Sequence, residues 1–141
     1  MSSYYKCTHF DIRELVDKNM YDEWGESAWM FMRTDALVSL DNIRDYFGKP
    51  VIVNDWMFGG SFQYRGFRTP WCAIGASISQ HRLGNAFDLD VKGMGADEVR
   101  QVIISMKDHP AFERITCMET GTAYIHFDCR NIPDRIRLIT V

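Results

Sequence analysis

The sequence predicts a single α+β domain, a small antiparallel sheet with helices packed to one side. Three observations carry this. Apolar residues recur at helical spacing over Glu26 to Phe47 and again from Ala96 to His109. Ala86-Phe87-Asp88-Leu89-Asp90-Val91 alternates strictly between apolar and acidic residues, the pattern of a half-buried strand. Two further strand-like stretches flank Gly121-Thr122, a pair suited to a tight hairpin. No repeat, low-complexity run or linker-like composition interrupts residues 1–141, so one domain is expected over the whole length. A chain of 141 residues can bury a core without disulfide or metal staples, so any bound metal points to function rather than to support of the fold.

Taken in order, Phe10 to Val16 is too brief a pattern to separate a short helix from an extended segment. Trp29, Met30 and Met32 form one helical group and Leu37, Leu40, Ile43 and Phe47 a second, with Thr34 or Asp35 as cap and Gly48 and Pro50 as stop. Val51-Ile52-Val53 reads as a short buried strand. Trp56 to Ile78 is broken by Gly59, Gly60, Gly66, Pro70 and Gly75, and an irregular stretch of that extent inside a domain is usually functional. After strand 86–91 the helix from Ala96 to His109 carries Asp97 and Glu98 in its first turn and ends before Pro110. Strands follow over 114–120 and 123–130. A two-residue loop at Gly121-Thr122 would pair Thr120 with Ala123, Glu119 with Tyr124 and Cys117 with His126. Glu119 then shares a face with His126, diagonally across from it. The tail from Arg135 to Val141 suits an edge strand.

Composition excludes several classes. The net charge is −3 and the pI about 5.8, with no basic stripe, which argues against nucleic acid as a partner. No apolar run approaches the ~18 residues that would span a bilayer, so no membrane insertion is expected. Met1 to Cys7 lacks the pattern of a signal peptide, which predicts synthesis and initial retention in the cytoplasm. Cys7, Cys72, Cys117 and Cys129 are scattered and read as reduced thiols.

The chemistry concentrates in Ser79-Gln80-His81-Arg82-Leu83-Gly84-Asn85-Ala86-Phe87-Asp88 and in Tyr124-Ile125-His126-Phe127-Asp128. Catalytic zinc takes three protein ligands, from imidazole nitrogen and carboxylate oxygen, and keeps a fourth position open. His81, Asp88 and His126 supply that set, and the small residues Gly84 and Ala86 let the intervening loop fold tightly. Asp90, on the face of Asp88, is either a further ligand or, as preferred here, a carboxylate beside the ligands or in solvent, and His9 and His109 read as capping or surface residues. Trp56, Phe58, Trp71 and Tyr124 either line a cleft or pack in the core.

The pattern S-x-H-x-x-G-x-A-x-D formed by Ser79, His81, Gly84, Ala86 and Asp88, the upstream Tyr64-Arg65-Gly66-Phe67-Arg68-Thr69-Pro70, and the downstream Met118 to Asp128 resemble the zinc DD-peptidases. That family includes D-alanyl-D-alanine carboxypeptidases, dipeptidases and phage endolysins, shares its fold with the hedgehog signalling domain, and is matched over roughly residues 10 to 131, most closely in its short phage-associated members. The resemblance implies His81, Asp88 and His126 as zinc ligands, Arg68 as the arginine that binds or polarises substrate, and Ser79 with Tyr124 as lining of the substrate site. Familiar members carry the catalytic Glu three residues before the last ligand, where this chain has Ala123. Glu119, which hedgehog-like members resemble in its more upstream placement, is the preferred base and Asp128 the second choice, the latter equally able to orient a ligand or to pair with Arg130 or Arg114.

The expectation is therefore a zinc metallopeptidase that hydrolyses peptide bonds of the peptidoglycan stem, as a DD-carboxypeptidase or an L-Ala-D-Glu endopeptidase in cell-wall lysis. Without a leader it would reach the wall only after release, aided by a membrane-permeabilising, holin-type partner, and it is expected to act as a monomer. The alternatives are a non-catalytic hedgehog-like zinc-binding module, prompted by Ala123, and a structural zinc site completed by a fourth ligand such as Cys117.

Overall fold

The computed structural model describes residues 4–76 and 78–141; residues 1–3, within the stretch read for a leader, and residue 77, within the irregular segment, lie outside the described residues. A capping box on Asp11 and Glu14 starts a 3-10 turn, Ile12–Glu14, which settles the ambiguity at Phe10 to Val16 in favour of helix. Helix α1, Lys18–Trp24, has no counterpart in the sequence reading, although Asp17 signals it: its side chain caps the helix by accepting from the Met20 amide at 2.9 Å. A 3-10 segment, Gly25–Phe31, carries Trp29 and Met30 of the first predicted helical group, and Met32 lies just beyond it as an extended C-cap. Helix α2, Thr34–Phe47, begins neither at a Thr34 nor at an Asp35 cap. Arg33 is the N-cap and makes no side-chain cap bond; its amide instead donates to the Gly84 carbonyl at 2.8 Å, so a tertiary contact sets this helix start. Gly48 ends α2 in the left-handed conformation (φ 63°), as the Gly-x-Pro stop predicts.

Strands β1, Val51–Ile52, β2, Ala86–Val91, β3, Cys117–Thr120, β4, Ile125–Asp128, and β5, Arg137–Thr140, form one sheet in the order β1-β2-β4-β3-β5. All neighbours are antiparallel except β3 and β5, which run parallel, so the expected antiparallel sheet is mixed at one edge. The chain leaving β4 crosses the start of β3, and the Arg137 amide donates to the Thr116 carbonyl at 2.9 Å, which sets β5 alongside β3 in the same direction. Helix α3, Ala96–Ser105, stops four residues short of the predicted His109. Beyond it the chain turns so that Phe112 is fully buried, and Arg135 holds these turns by donating to the Lys107, Phe112 and Ile115 carbonyls.

The pleat sorts β2 as its alternation predicts. Phe87 and Leu89 pair with Phe127 and Ile125 of β4, and these four, with Val91, join one core with Leu37, Leu40 and Ile43 of α2 and Val99 and Ile103 of α3. Asp88 pairs with His126 on the opposite face. The hairpin differs from the predicted one. Cys117 lies opposite Asp128 and Met118 opposite Phe127, which continued along the pair sets Glu119 opposite His126. The loop is wider because the Thr122 hydroxyl donates to the Tyr124 carbonyl and Arg100 of α3 binds the Thr122 and Tyr124 carbonyls, keeping residues 121–124 out of the ladder. The shift is two residues, so every side chain keeps its predicted face and Glu119 comes directly across from His126.

Two glycines allow the irregular segment and its following turn to dock. A Cβ on Gly66 would lie 2.2 Å from the Leu15 carbonyl oxygen, and one on Gly84 (φ +69°) 2.1 Å from that of Phe31. Gly84→Ala therefore combines left-handed strain with a backbone clash, and a loss of about 2 kcal/mol or more in unfolding free energy is expected, read from the denaturation midpoint.

Candidate metal centre

The centre is built where the irregular segment crosses the polar face of β2 and β4. Two consecutive carbonyls of that segment hold it: Arg65 accepts from the Asp88 amide at 2.7 Å, and Gly66 accepts from His81 Nδ1 at 2.9 Å. The turn carrying His81 closes through the Leu83 and Asn85 amides on the Gln80 carbonyl, and the Ser79 hydroxyl accepts from the His81 amide at 3.1 Å. With Nδ1 engaged, His81 turns Nε2 toward Asp88, 3.3 Å from Oδ1. From the other side His126 Nδ1 approaches the same oxygen at 2.9 Å. All three residues are buried, and one donor atom from each lies within 4.8 Å of the others.

Behind this trio, Asp128 is wholly buried. Its Oδ2 takes His126 Nε2 at 2.8 Å and an Arg130 terminal nitrogen at 2.6 Å, and its Oδ1 takes Arg130 Nε at 2.7 Å. Arg114, the other partner considered for Asp128, pairs with Asp35 instead. Arg130 is the residue whose part sequence reasoning understated; its signal is the two-residue spacing that puts it on the strand side of Asp128 and His126. Gly66, read only as a loop breaker, is a second such residue.

The trio opens on a cleft of about 440 Å³ that is also lined by Glu119, Arg68, Ser79, Tyr124 and Arg130. Glu119 Oε1 stands 3.8 Å from His126 Nδ1 with its side chain a quarter exposed. Arg68 is anchored by Nε on the Tyr64 carbonyl at 2.8 Å and directs a terminal nitrogen to Asp88 Oδ2 at 3.5 Å. Of the aromatics considered, Tyr124 lines this cleft, whereas Trp56 is tied to the Val16 carbonyl and Phe58 and Trp71 are largely exposed. Cys117 is buried opposite Asp128, and among the described residues the metal-compatible group contains no cysteine and no fourth ligand. Burial pushes the Cys117 thiol up to about 11 and that of Cys129 to about 12, so both are neutral.

Charge in the trio is strongly coupled. Burial raises the Asp88 carboxyl, but hydrogen bonds from His126 and His81 outweigh it and hold the group well below the usual carboxylate range. Burial lowers His126, yet its bonds to Asp128 and Asp88 prevail and lift it to about 9. Asp128 is likewise held down, burial being overcome by Arg130 and His126. Two imidazole nitrogens and one carboxylate oxygen around a common point, each imidazole oriented through its other nitrogen by Gly66 or Asp128, form a donor set that fits a divalent metal with an open position.

Two outcomes follow. With metal chelated, the His126 proton facing Asp88 contributes stability that is fully present below the ordinary value of 6.5 and is lost as pH rises through about 9. The denaturation midpoint of chelated protein should fall across that window, and metal-loaded protein should lack the slope. Asp128→Asn removes the charge that orients His126, and a drop of about 10–100-fold in metal affinity is expected in a chelator competition.

A family model described as Peptidase M15 matches residues 6–128, and neither the curated proteins nor the solved structures contain a significant match. M15 peptidases are generally zinc-dependent, in keeping with a His-Asp-His group able to hold a metal. The matched span contains His81, Asp88, Glu119 and His126 and nearly all of the chain, which therefore belongs to the Peptidase M15 family of metallopeptidases.

Proposed function

We propose that the chain is a zinc peptidase that cuts peptide bonds of the peptidoglycan stem, in the manner of the short phage-associated members of its family. The observation that carries the reading is the approach of His81 Nε2, Asp88 Oδ1 and His126 Nδ1 to a common point on a cleft floor, with Glu119 beside them. The stem-peptide target rests on the S-x-H-x-x-G-x-A-x-D pattern and its flanking segments.

His81, Asp88 and His126 would hold the ion. Bound zinc supplies Lewis acidity for the scissile carbonyl and acidifies an attacking water towards a pKa of ~7. Glu119 is the general base: its carboxylate accepts a proton from the water that adds to the carbonyl carbon, and returns it to the amine nitrogen as the C–N bond breaks. Asp128, with both oxygens engaged by His126 and Arg130, fixes the His126 tautomer instead of competing for that proton. Arg68, held by the Tyr64 carbonyl, presents its guanidinium to a substrate carbonyl oxygen or carboxylate, and Ser79 and Tyr124 line the path to it.

The non-catalytic zinc module drew its support from Ala123. Glu119, set across from His126 by the observed register, supplies a carboxylate from the neighbouring strand and favours hydrolysis. No helix among the described residues is long and apolar enough to cross a membrane. The proposal places the protein at the wall after release through a permeabilising partner, working as a monomer.

The zinc-loaded protein should cleave purified stem peptides, with products identified by mass spectrometry as D-alanine release or as separation of L-alanine from D-glutamate. Glu119→Gln should lower kcat by about 100-fold or more at unchanged zinc content. Stem peptides left intact by the zinc-loaded protein would overturn the reading.

A further inference from the structure

Trp71 is 79% exposed, yet the turn that presents it is braced. The Cys72 amide donates to the Thr69 carbonyl at 3.1 Å, and Pro70 takes the turn position that its fixed φ favours. Arg82 donates to the Cys72 carbonyl, and the Arg68 amide just before the turn donates to the His81 carbonyl at 3.2 Å. The indole is therefore carried on the same framework as the His81 turn. Isolated exposed aromatic residues are ordinary on protein surfaces. This one is set apart by its support and by the clefts it borders.

One of them, of about 380 Å³, is apolar and walled by Trp24, Phe31, Phe67 and Leu83. The other, of about 340 Å³, runs between the turn and α1 and is walled by Asp17, Asn19, Glu23, Tyr64 and Ile74. Ile74 also lines the cleft of the candidate centre, so the two meet there.

The lining of the α1 cleft selects its occupant. It holds two acids and no basic residue, which disfavours anionic lipid, nucleic acid and carboxylate ligands. Asp17 is engaged in capping α1, whereas Asn19 and Glu23, exposed and one helical turn apart, offer an amide and a carboxylate to hydroxyl groups. The indole offers a flat apolar face whose negative π-charge attracts the C–H groups on the face of a pyranose ring. An uncharged sugar meets both demands, stacking through its ring face and hydrogen-bonding through its edge.

We propose that the furrow over Trp71 binds an uncharged saccharide chain, with Trp71 as the platform on which a sugar ring stacks. The proposal rests on the peptidoglycan reading above and extends it: a stem peptide held at the metal centre is attached to a glycan strand, and the furrow past Ile74 gives that strand a place to lie.

The experiment uses the zinc-loaded full chain and two probes, a chitin oligosaccharide as a neutral glycan and phosphatidylglycerol vesicles as an anionic apolar surface. Binding is measured by calorimetry for the first and cosedimentation for the second, in wild type, Trp71→Phe and Trp71→Ala. The oligosaccharide should bind wild type, hold most of its affinity in Trp71→Phe, and lose about tenfold in Trp71→Ala at an unchanged denaturation midpoint. In parallel, hydrolysis of a free stem peptide is compared with that of the same peptide joined to its disaccharide. Wild type should favour the glycan-linked form through a lower KM, and Trp71→Ala should erase that preference while cutting the free peptide as before. Absence of oligosaccharide binding in wild type, equal binding in Trp71→Ala, or Trp71-dependent binding to the vesicles would overturn the platform. If no peptide is cut in either form, the hydrolytic reading falls, and Trp71-dependent oligosaccharide binding still supports the platform. If peptides are cut but wild type ignores the disaccharide, the platform alone is lost.

Discussion

The carboxylate of Asp88 buried between two imidazoles is the interaction on which the rest of the structure depends. A charge removed from water must be matched by partners of good geometry or it destabilises the fold by several kcal/mol. Asp88 is matched from three directions, by His126 across the sheet, by His81 from the loop, and by Arg68 at longer range. Each of those partners is itself held by a further group: Asp128 and Arg130 behind His126, the Gly66 carbonyl behind His81, the Tyr64 carbonyl behind Arg68. The arrangement is an organised set of donors that could hold a metal ion with little reorganisation.

This demand explains features that secondary-structure considerations leave unaccounted for. The irregular segment must bring two successive carbonyls, Arg65 and Gly66, against the strand edge and the imidazole at once, and it succeeds because Gly66 lets it press on Leu15 and Gly84 lets the following turn press on Phe31. The N-terminal helical pieces are thereby structural partners of the site: they form the wall on which the His81 turn rests. Helices α2 and α3 work from the other side, packing the apolar face of β2 and β4 so that Asp88 and His126 stay in register.

The polar face of the sheet is also graded. Asp128 is sealed by Arg130, Asp88 is enclosed by its imidazoles, Glu119 is partly open at the cleft, and Asp90 is the most open of the four. Four carboxylates on adjacent strands thus meet four environments, and their different chemistry follows from environment because the residue types are nearly the same.

The sequence by itself determined the elements that depend on local pattern: the β2 alternation, the body of α2 and its Gly48 stop, the existence of α3, and the trio His81, Asp88 and His126. In these the periodicity of the backbone and the chemistry of the side chains suffice, and even a hairpin misread by two residues kept Glu119 on the correct face because the strand period is two. Only the tertiary structure decided what depends on contacts between distant segments. Helix α2 starts at Thr34, just after an Arg33 whose amide Gly84 takes, α3 ends early because Phe112 is drawn into the core, and β5 runs parallel because its partner is β3. The distinct places of Glu119 and Asp128 belong to the same class: both acids share the strand face of His126, and tertiary packing gives one an open cleft and the other a buried site paired with Arg130.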